Sequence, residues 1–249
     1  EARFVVVEDG RILSVSNALT ELDAWLEGVD YRIDSRFREK VLLPGFVDPH
    51  LHPMMAAVLL PTTFITPEDW SLPSGEASGV RTQEAYRQRL RQLLSGDQSR
   101  EPFITWGYHQ LWHGALDRQI LDEIEPNRAV IVWHRSFHEI IMNTAAMKFL
   151  QLDNESVFAE IISSAEIDPS HANYAAGHLS ETALSIGLSR LRPVILAADH
   201  LNTGMGIIRQ MLRANGVTTI ADMATGLFAS FDDEAALIKL SFDRDDSPV

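Results

Sequence analysis

Two histidines separated by one residue, His50 and His52, end the run Val41-Leu-Leu-Pro-Gly-Phe-Val-Asp-Pro-His-Leu-His-Pro53. Residues i and i+2 of a β-strand point to one face, so both imidazoles can converge on a single cation. With nine histidines in 249 residues, a pair at this spacing arises by chance with a probability of roughly 0.3, so spacing alone carries little. The surroundings carry more. Residues 41–43 enter as an apolar segment, Pro44-Gly45 turns the chain, Phe46-Val47 reads as a short buried strand, and Asp48 precedes the pair. The chain has no cysteine, which removes thiolate ligands and disulfides and leaves His, Asp, Glu and a modified Lys to hold a metal.

Other histidines are less suggestive. His109 and His113, like His134 and His138, stand four apart and would share a face if helical. Neither pair has a further ligand at metal spacing, so pocket or surface positions are expected. His171, His178 and His200 read as ordinary polar positions. Trp106, Trp112 and Trp133 lie near these segments; core packing is the default, with an aromatic wall for a substrate as the alternative.

The elements that must position these residues fall into three stretches. Residues 1–45 read as β: strands at 4–7 and 11–15 flank the Asp9-Gly10 turn dipeptide, a short helical segment covers 19–26, and 31–34 and 41–43 are further strand candidates. Residues 46–53 hold the strand with the histidine pair. Residues 54–195 are mixed and rich in polar loops. Thr82 is a fitting N-cap for a helix through Leu94 that ends at Gly96, strands are expected at 103–107 and 129–133, and Asp117 caps a short helix over 118–124. Residues 156–174 have weak periodicity and suggest a loop or lid. Residues 196–249 show a helix over 197–214, where Leu201, Met205, Ile208 and Leu212 share a face, and a stop at Asn215-Gly216. A buried β-branched strand over 217–221 then ends in Asp222, and a helix over 234–241 follows. This βαβα rhythm points to a parallel sheet or barrel.

Composition bounds the function. The formal net charge of −14 and pI near 5 argue against nucleic acid or anionic membrane as partners. No run approaches the roughly 18 apolar residues of a membrane span. The start lacks a basic region followed by an apolar core, so no signal peptide is visible and a cytoplasmic location is expected. It also lacks a Met, which suggests a missing or processed N-terminus. With 45% hydrophobic residues the chain can bury a sizeable core.

Taken in order, these segments resemble the amidohydrolase superfamily. The resemblance rests on the Asp9-Gly10-Arg11-Ile12 hairpin, Ile33-Asp34, and Leu43-Pro-Gly-Phe-Val-Asp-Pro-His-Leu-His52. Later blocks are similar to the amidohydrolase 3 branch, which includes N-substituted formamide deformylases: Trp106-Gly107, Leu116-Asp117 with Pro126, His138 with Asn143-Thr-Ala-Ala-Met147, Gly177-His-Leu-Ser-Glu181, and Asn215-Gly-Val-Thr-Thr-Ile-Ala-Asp222. The resemblance implies an α/β metal-dependent hydrolase: a (β/α)8 TIM barrel of which this is the N-terminal part, a small β-sandwich segment, and a large α/β insertion after barrel strand 1. It implies that His50 and His52 bind a divalent metal, zinc being the usual ion, and that Asp48 orients a ligand ring. His138, Asn143 and Trp106 are expected at the substrate pocket, although a His at a helix start fits His138 equally. Glu181 matches the branch pattern and would approach metal or substrate, or else be a solvated or salt-bridged helix carboxylate. Asp222, at a strand end, is either functional or a helix cap.

The departure from the family matters as much. A complete enzyme of this type carries a bridging carboxylated lysine or acid, two more metal histidines and an aspartate base on later strands. None is expected within this chain; Lys148 and Lys239 do not end convincing strands. The expectation is therefore the first half of an amide or formamide C–N hydrolase acting on a small molecule, with the rest of the barrel supplied by a longer chain or another copy, such as a homodimer partner. The isolated segment is expected to be inactive. A metal-dependent deaminase and a non-catalytic binding or assembly module are the alternatives.

Overall fold

Asp9 and Gly10 have φ of +48° and +75°, the doubly left-handed conformation of a primed turn. Strands β1 (Phe4–Glu8) and β2 (Arg11–Ser16) therefore close tightly, with Glu8 opposite Arg11. A 3-10 turn at Leu19–Leu22 leads into α1 (Asp23–Leu26), and Leu22 is buried. The computed structural model describes residues 2–97, 99 and 101–243, so the acidic stretch after Asp243 lies outside the described residues. Contacts divide the chain into two units, Glu1–Phe46 and Val47–Val249. Two strand expectations fail in the first unit. Residues 31–34 and 41–43 form no strand, and Val41 is 87% exposed: β-propensity makes no strand where no neighbour offers a ladder.

Strand β3 (Phe46–Leu51) runs into α2 (Pro53–Leu59), whose first residue is the proline that a helix start tolerates. Phe46 and Val47 are 53% and 64% exposed, not buried as their composition suggests, because β3 has one neighbouring strand and neither residue is covered.

Between α2 and the last third of the chain lies a six-stranded sheet with its helices. In chain order these are β4 (Thr63–Phe64), the small hairpin β5 (Trp70–Leu72) and β6 (Gly75–Ala77), α3 (Gln83–Gly96), β7 (Phe103–Tyr108), α4 (Gln110–His113), α5 (Arg118–Ile124), β8 (Val130–His134), β9 (Glu139–Met142), α6 (Thr144–Phe149), α7 (Glu155–Ser164), β10 (Ala172–Asn173), β11 (His178–Ser180) and α8 (Glu181–Ile195). The sheet order is β10-β11-β9-β8-β7-β4, with β4–β7 and β7–β8 parallel and the remaining pairs whose register is defined antiparallel. On β8, Ile131 and Trp133 join one core cluster and Val130 and Val132 the other. A continuous apolar run is what a strand covered on both faces requires. The expected caps form: Thr82 Oγ1 accepts from Ala85 N–H (3.2 Å) and Asp117 Oδ1 from Ile120 N–H (2.8 Å).

Two stretches differ from expectation here. Residues 156–174 are no open loop: α7 is capped by Asn154, whose Oδ1 accepts from Ser156 and Val157 N–H, and Phe158 and Ile162, four apart, are buried. The 15-residue α8, where no element was expected, buries Ala183, Leu184, Ile186, Gly187, Leu191 and Ile195 along one broad side.

The last elements are α9 (Ala198–Ala214), β12 (Val217–Asp222) and α10 (Phe231–Phe242). Strand β12 pairs with β3 in a separate two-stranded sheet, and its residues are only partly covered, so the expected full burial fails for the same reason as at Phe46 and Val47. No sheet among the described residues closes into a barrel, and no described helix is long and apolar enough to cross a membrane. Helix α9 lies directly on α2. A Cβ on Gly204 would stand 2.0 Å from Ala57 O, so only glycine allows this approach. His200 Nε2 donates to Val58 O (2.8 Å), satisfying a carbonyl in the last turn of α2. The element that follows the histidine pair is thereby clamped to the element that precedes β12.

Candidate metal centre

Three of the expected site residues meet where β3 and β12 end. Met223 N–H donates to Leu51 O (3.1 Å), so the two strands finish side by side. His50 Nε2 and His52 Nε2 lie 3.2 Å apart, with ring centroids 4.9 Å apart and planes at 78°. Two imidazoles on one tetrahedral zinc, with Zn–N of about 2.0–2.1 Å, would hold their nitrogens about 3.3–3.4 Å apart. The pair stands within about 0.2 Å of that separation, so its donor atoms and their spacing fit a divalent ion. Among the described residues no third His, Asp or Glu joins them in a set able to hold a metal.

The carboxylates around the pair have separate tasks. Asp48 Oδ1 accepts from the main-chain N–H of His50 (3.1 Å); its link to His50 runs through the backbone, not to a ring as expected. Asp222 is the acid that faces a ring: its Oδ1 lies 3.9 Å from His52 Nδ1. Asp222 Oδ1 also accepts from Ala224 N–H (3.0 Å) and its Oδ2 from the Thr225 hydroxyl. His52 Nδ1 is buried and has no hydrogen-bond partner.

The remaining candidates lie elsewhere. Asn143 is fully buried and uses its whole amide. Its Oδ1 accepts from Val130 N–H (3.0 Å) and Ala146 N–H (2.8 Å), and its Nδ2 donates to Glu125 O (2.7 Å) and Arg128 O (2.8 Å). It caps α6 and ties it to β8, with no hydrogen-bonding capacity left for a substrate. His138 and Glu181 form an exposed pair, Nδ1 to Oε2 3.1 Å, with side chains 62% and 54% exposed. Glu181 N–H also donates to His138 O (2.8 Å), so Glu181 is the salt-bridged carboxylate at a helix start. No hydrogen bond or ion pair joins this pair to His50, His52 or Asp222 among the described residues. Trp106 packs in an aromatic trio with Phe64 and Trp70, at centroid distances of 5.1 and 5.6 Å.

Two of the histidines expected at a pocket or surface, His113 and His134, are interior. His113 is buried; His109 N–H donates to its Nδ1 (3.0 Å) and its Nε2 donates to Val80 O (2.8 Å). His134 is buried too, and its Nε2 meets Gln110 Oε1 at 2.9 Å. Burial pushes both imidazoles below the ordinary histidine value. His113 ends α4, which His109 caps, so that pair does meet across a helical turn; His134 ends β8 and shares no helix with His138. His178 Nε2 donates to Glu139 Oε2 (2.8 Å).

Sequence reasoning missed Glu234. This side chain is 1% exposed, and its carboxylate accepts from the N–H groups of Gly226, Phe228 and Ala229, each at 2.6 Å. It shapes the loop that leaves β12. In the sequence it is one of three consecutive acids, and nothing local distinguishes it from its solvated neighbours Asp232 and Asp233.

No protein-family profile matches this sequence, and a search of curated proteins finds no match. The fold is nevertheless shared. An uncharacterized metal-dependent hydrolase from Pyrococcus horikoshii OT3 superposes with a TM-score of 0.56 at 17% identity, over 89% of this chain and 39% of that one. An uncharacterized metal-dependent hydrolase from Pyrococcus furiosus gives a TM-score of 0.56 at 18% identity, over 96% of this chain and 43% of that one. The chain thus spans about two fifths of the length of the solved structures whose fold it shares.

Proposed function

We propose that this chain supplies the first two barrel strands, β3 and β12, of a metal-dependent amidohydrolase that cleaves an amide or formamide C–N bond, with His50 and His52 as two of the metal ligands and zinc as the ion. The observation that carries this reading is the 3.2 Å separation of the two Nε2 atoms at the C-terminal end of a strand. Two further points support it: the fold shared with two metal-dependent hydrolases, and the placement of the six-stranded sheet between β3 and β12, where an insertion after the first strand would stand.

When bound, a divalent ion supplies Lewis acidity, acidifying water and polarising a carbonyl. The chain's own residues do the rest. His50 and His52 offer two ring nitrogens on one face. Asp48 fixes the His50 main chain. The clamp of α9 on α2 holds the segment that follows His52. A base to move the proton is not among the residues gathered here, and two strands leave open edges with Phe46 and Val47 exposed. The remaining ligands, the base and the covering strands would come from further polypeptide.

The test is metal stoichiometry by elemental analysis after Zn²⁺ loading, on the chain and on a His50→Ala/His52→Ala variant. Loss of the bound zinc in the variant is expected; unchanged metal content sinks the assignment. Turnover of N-formyl amines by this chain alone would overturn the division of labour, since the base is assigned to other polypeptide.

A further inference from the structure

We propose that Asp222 is the positioning residue for His52: its carboxylate accepts from the ring's Nδ1–H, so holding the proton on Nδ1 and leaving the Nε2 lone pair free. The inference rests on the reading of His50 and His52 as metal ligands and adds to it the group that sets their chemistry.

Four observations converge. His52 Nδ1 is shielded from water and has no hydrogen-bond partner, an arrangement that costs about 1–3 kcal/mol if left unresolved. The carboxylate that faces this nitrogen within 4 Å is that of Asp222, at 3.9 Å, and its side chain is only 11% exposed. Asp222 is held in place by Ala224 N–H and the Thr225 hydroxyl, two of roughly four acceptor positions of a carboxylate, so capacity remains for a third donor. The strand ends are joined at the same level by the hydrogen bond from Met223 N–H to Leu51 O. Contraction by about 1 Å brings Nδ1 and Oδ1 into the ordinary N–H···O range of about 2.7–3.2 Å, a movement within the soft ring torsion of histidine.

Electrostatics selects the tautomer. With the proton on Nε2, a bare Nδ1 lone pair would face a carboxylate in a shielded site, lone pair against negative charge. With the proton on Nδ1, the same pair is attractive, and Nε2 keeps its lone pair for a metal. Asp48 does not substitute: no ion pair joins it to His52 among the described residues, and its Oδ1 accepts from the His50 main-chain N–H instead. The two strands therefore contribute different things: β3 brings the ligands, and β12 brings the carboxylate that decides which nitrogen of His52 carries the proton.

The test has two arms. In metal-free protein at pH 8, ¹⁵N NMR of the histidine rings reads the His52 tautomer directly: Nδ1–H is expected in the parent, and a shift toward Nε2–H in Asp222→Ala. In the second arm Zn²⁺ affinity, measured by chelator competition, is expected to fall about 10- to 100-fold in Asp222→Ala, the usual effect of losing such a carboxylate, and less than tenfold in Asp222→Asn, whose amide oxygen still accepts. Asp222→Asn also keeps an acceptor oxygen for Ala224 and offers its amide N–H to the Thr225 hydroxyl oxygen, so it carries the test if the alanine variant does not fold. An Nε2–H tautomer in the parent, or unchanged tautomer and affinity in both variants, overturns the proposal. The tautomer needs no metal, so it judges Asp222 separately. If His50→Ala/His52→Ala retains its zinc while the tautomer result holds, it is the ligand assignment that fails.

Discussion

Replacing Gly204 by alanine sets two effects of opposite sign against each other on one helix. In an exposed helix interior the change gains about 1 kcal/mol, since alanine loses less backbone entropy than glycine. At Gly204 the added Cβ would meet Ala57 O at 2.0 Å and Ala57 C and Cα at 2.6 Å. All three are main-chain atoms of α2, so no rotamer change relieves them. The helices must separate by about 1 Å or more, which also stretches the bond from His200 to Val58 O and loosens the packing of α9 on α2. Overpacking of this kind costs about 1–3 kcal/mol and more where backbone must move. The net expectation is a loss of about 2 kcal/mol or more, or roughly 4–8 °C in Tm for a chain of this size. Gly206 provides the control: it lies on the same helix with nothing within 4 Å of an added Cβ, so Gly206→Ala should gain up to about 1 kcal/mol. Urea titration followed by far-ultraviolet circular dichroism compares the variants at equal m-value. If Gly204→Ala is as stable as the parent or as Gly206→Ala, the close contact of α2 with α9 is wrong, and with it the clamp behind the histidine pair.

Three further outcomes follow from buried polar groups. Asn143→Ala should cost about 4 kcal/mol in chemical denaturation, because it strands the main-chain partners of four hydrogen bonds in the interior; a loss under about 1 kcal/mol would mean that Asn143 is not structural. Glu234→Ala should cost about 3 kcal/mol and speed amide hydrogen exchange at Gly226, Phe228 and Ala229, and unchanged exchange at those three would contradict the loop geometry. Burial lowers the folded-state pKa of His113 and His134 below the ordinary histidine value. Between that lowered value and about 6.5 the unfolded chain binds protons that the folded chain refuses. Their contribution is therefore present above pH 6.5 and lost as pH falls below it. The urea midpoint should drop between pH 7.5 and 5.5, and drop less in His113→Gln; a flat midpoint would refute the sign.

Local hydrogen bonding was legible without a structure. The Asp9-Gly10 turn, the caps Thr82 and Asp117, the stop at Asn215-Gly216 and the strands around residues 103–107, 129–133 and 217–222 all follow from rules that act within about four residues. So does the placement of His50 and His52 on one face of a strand end, since a period of two determines which side chains share a side. What covers that side is a different matter. Phe46, Val47 and β12 have apolar composition, yet the number of neighbouring strands decides their exposure. Asn143 has the look of a pocket residue until four partners, drawn from residues 125–146, converge on its amide. Glu234 is one acid among three in the sequence and Asp222 is marked only by its strand end; the meeting of chain segments shows that one gathers three backbone N–H groups and the other faces His52 across 170 residues of chain. The sequence by itself determined which groups could bind a metal and on which element they stand. Tertiary structure decided which carboxylate reaches them, because burial and charge proximity depend on through-space distances that no local pattern encodes.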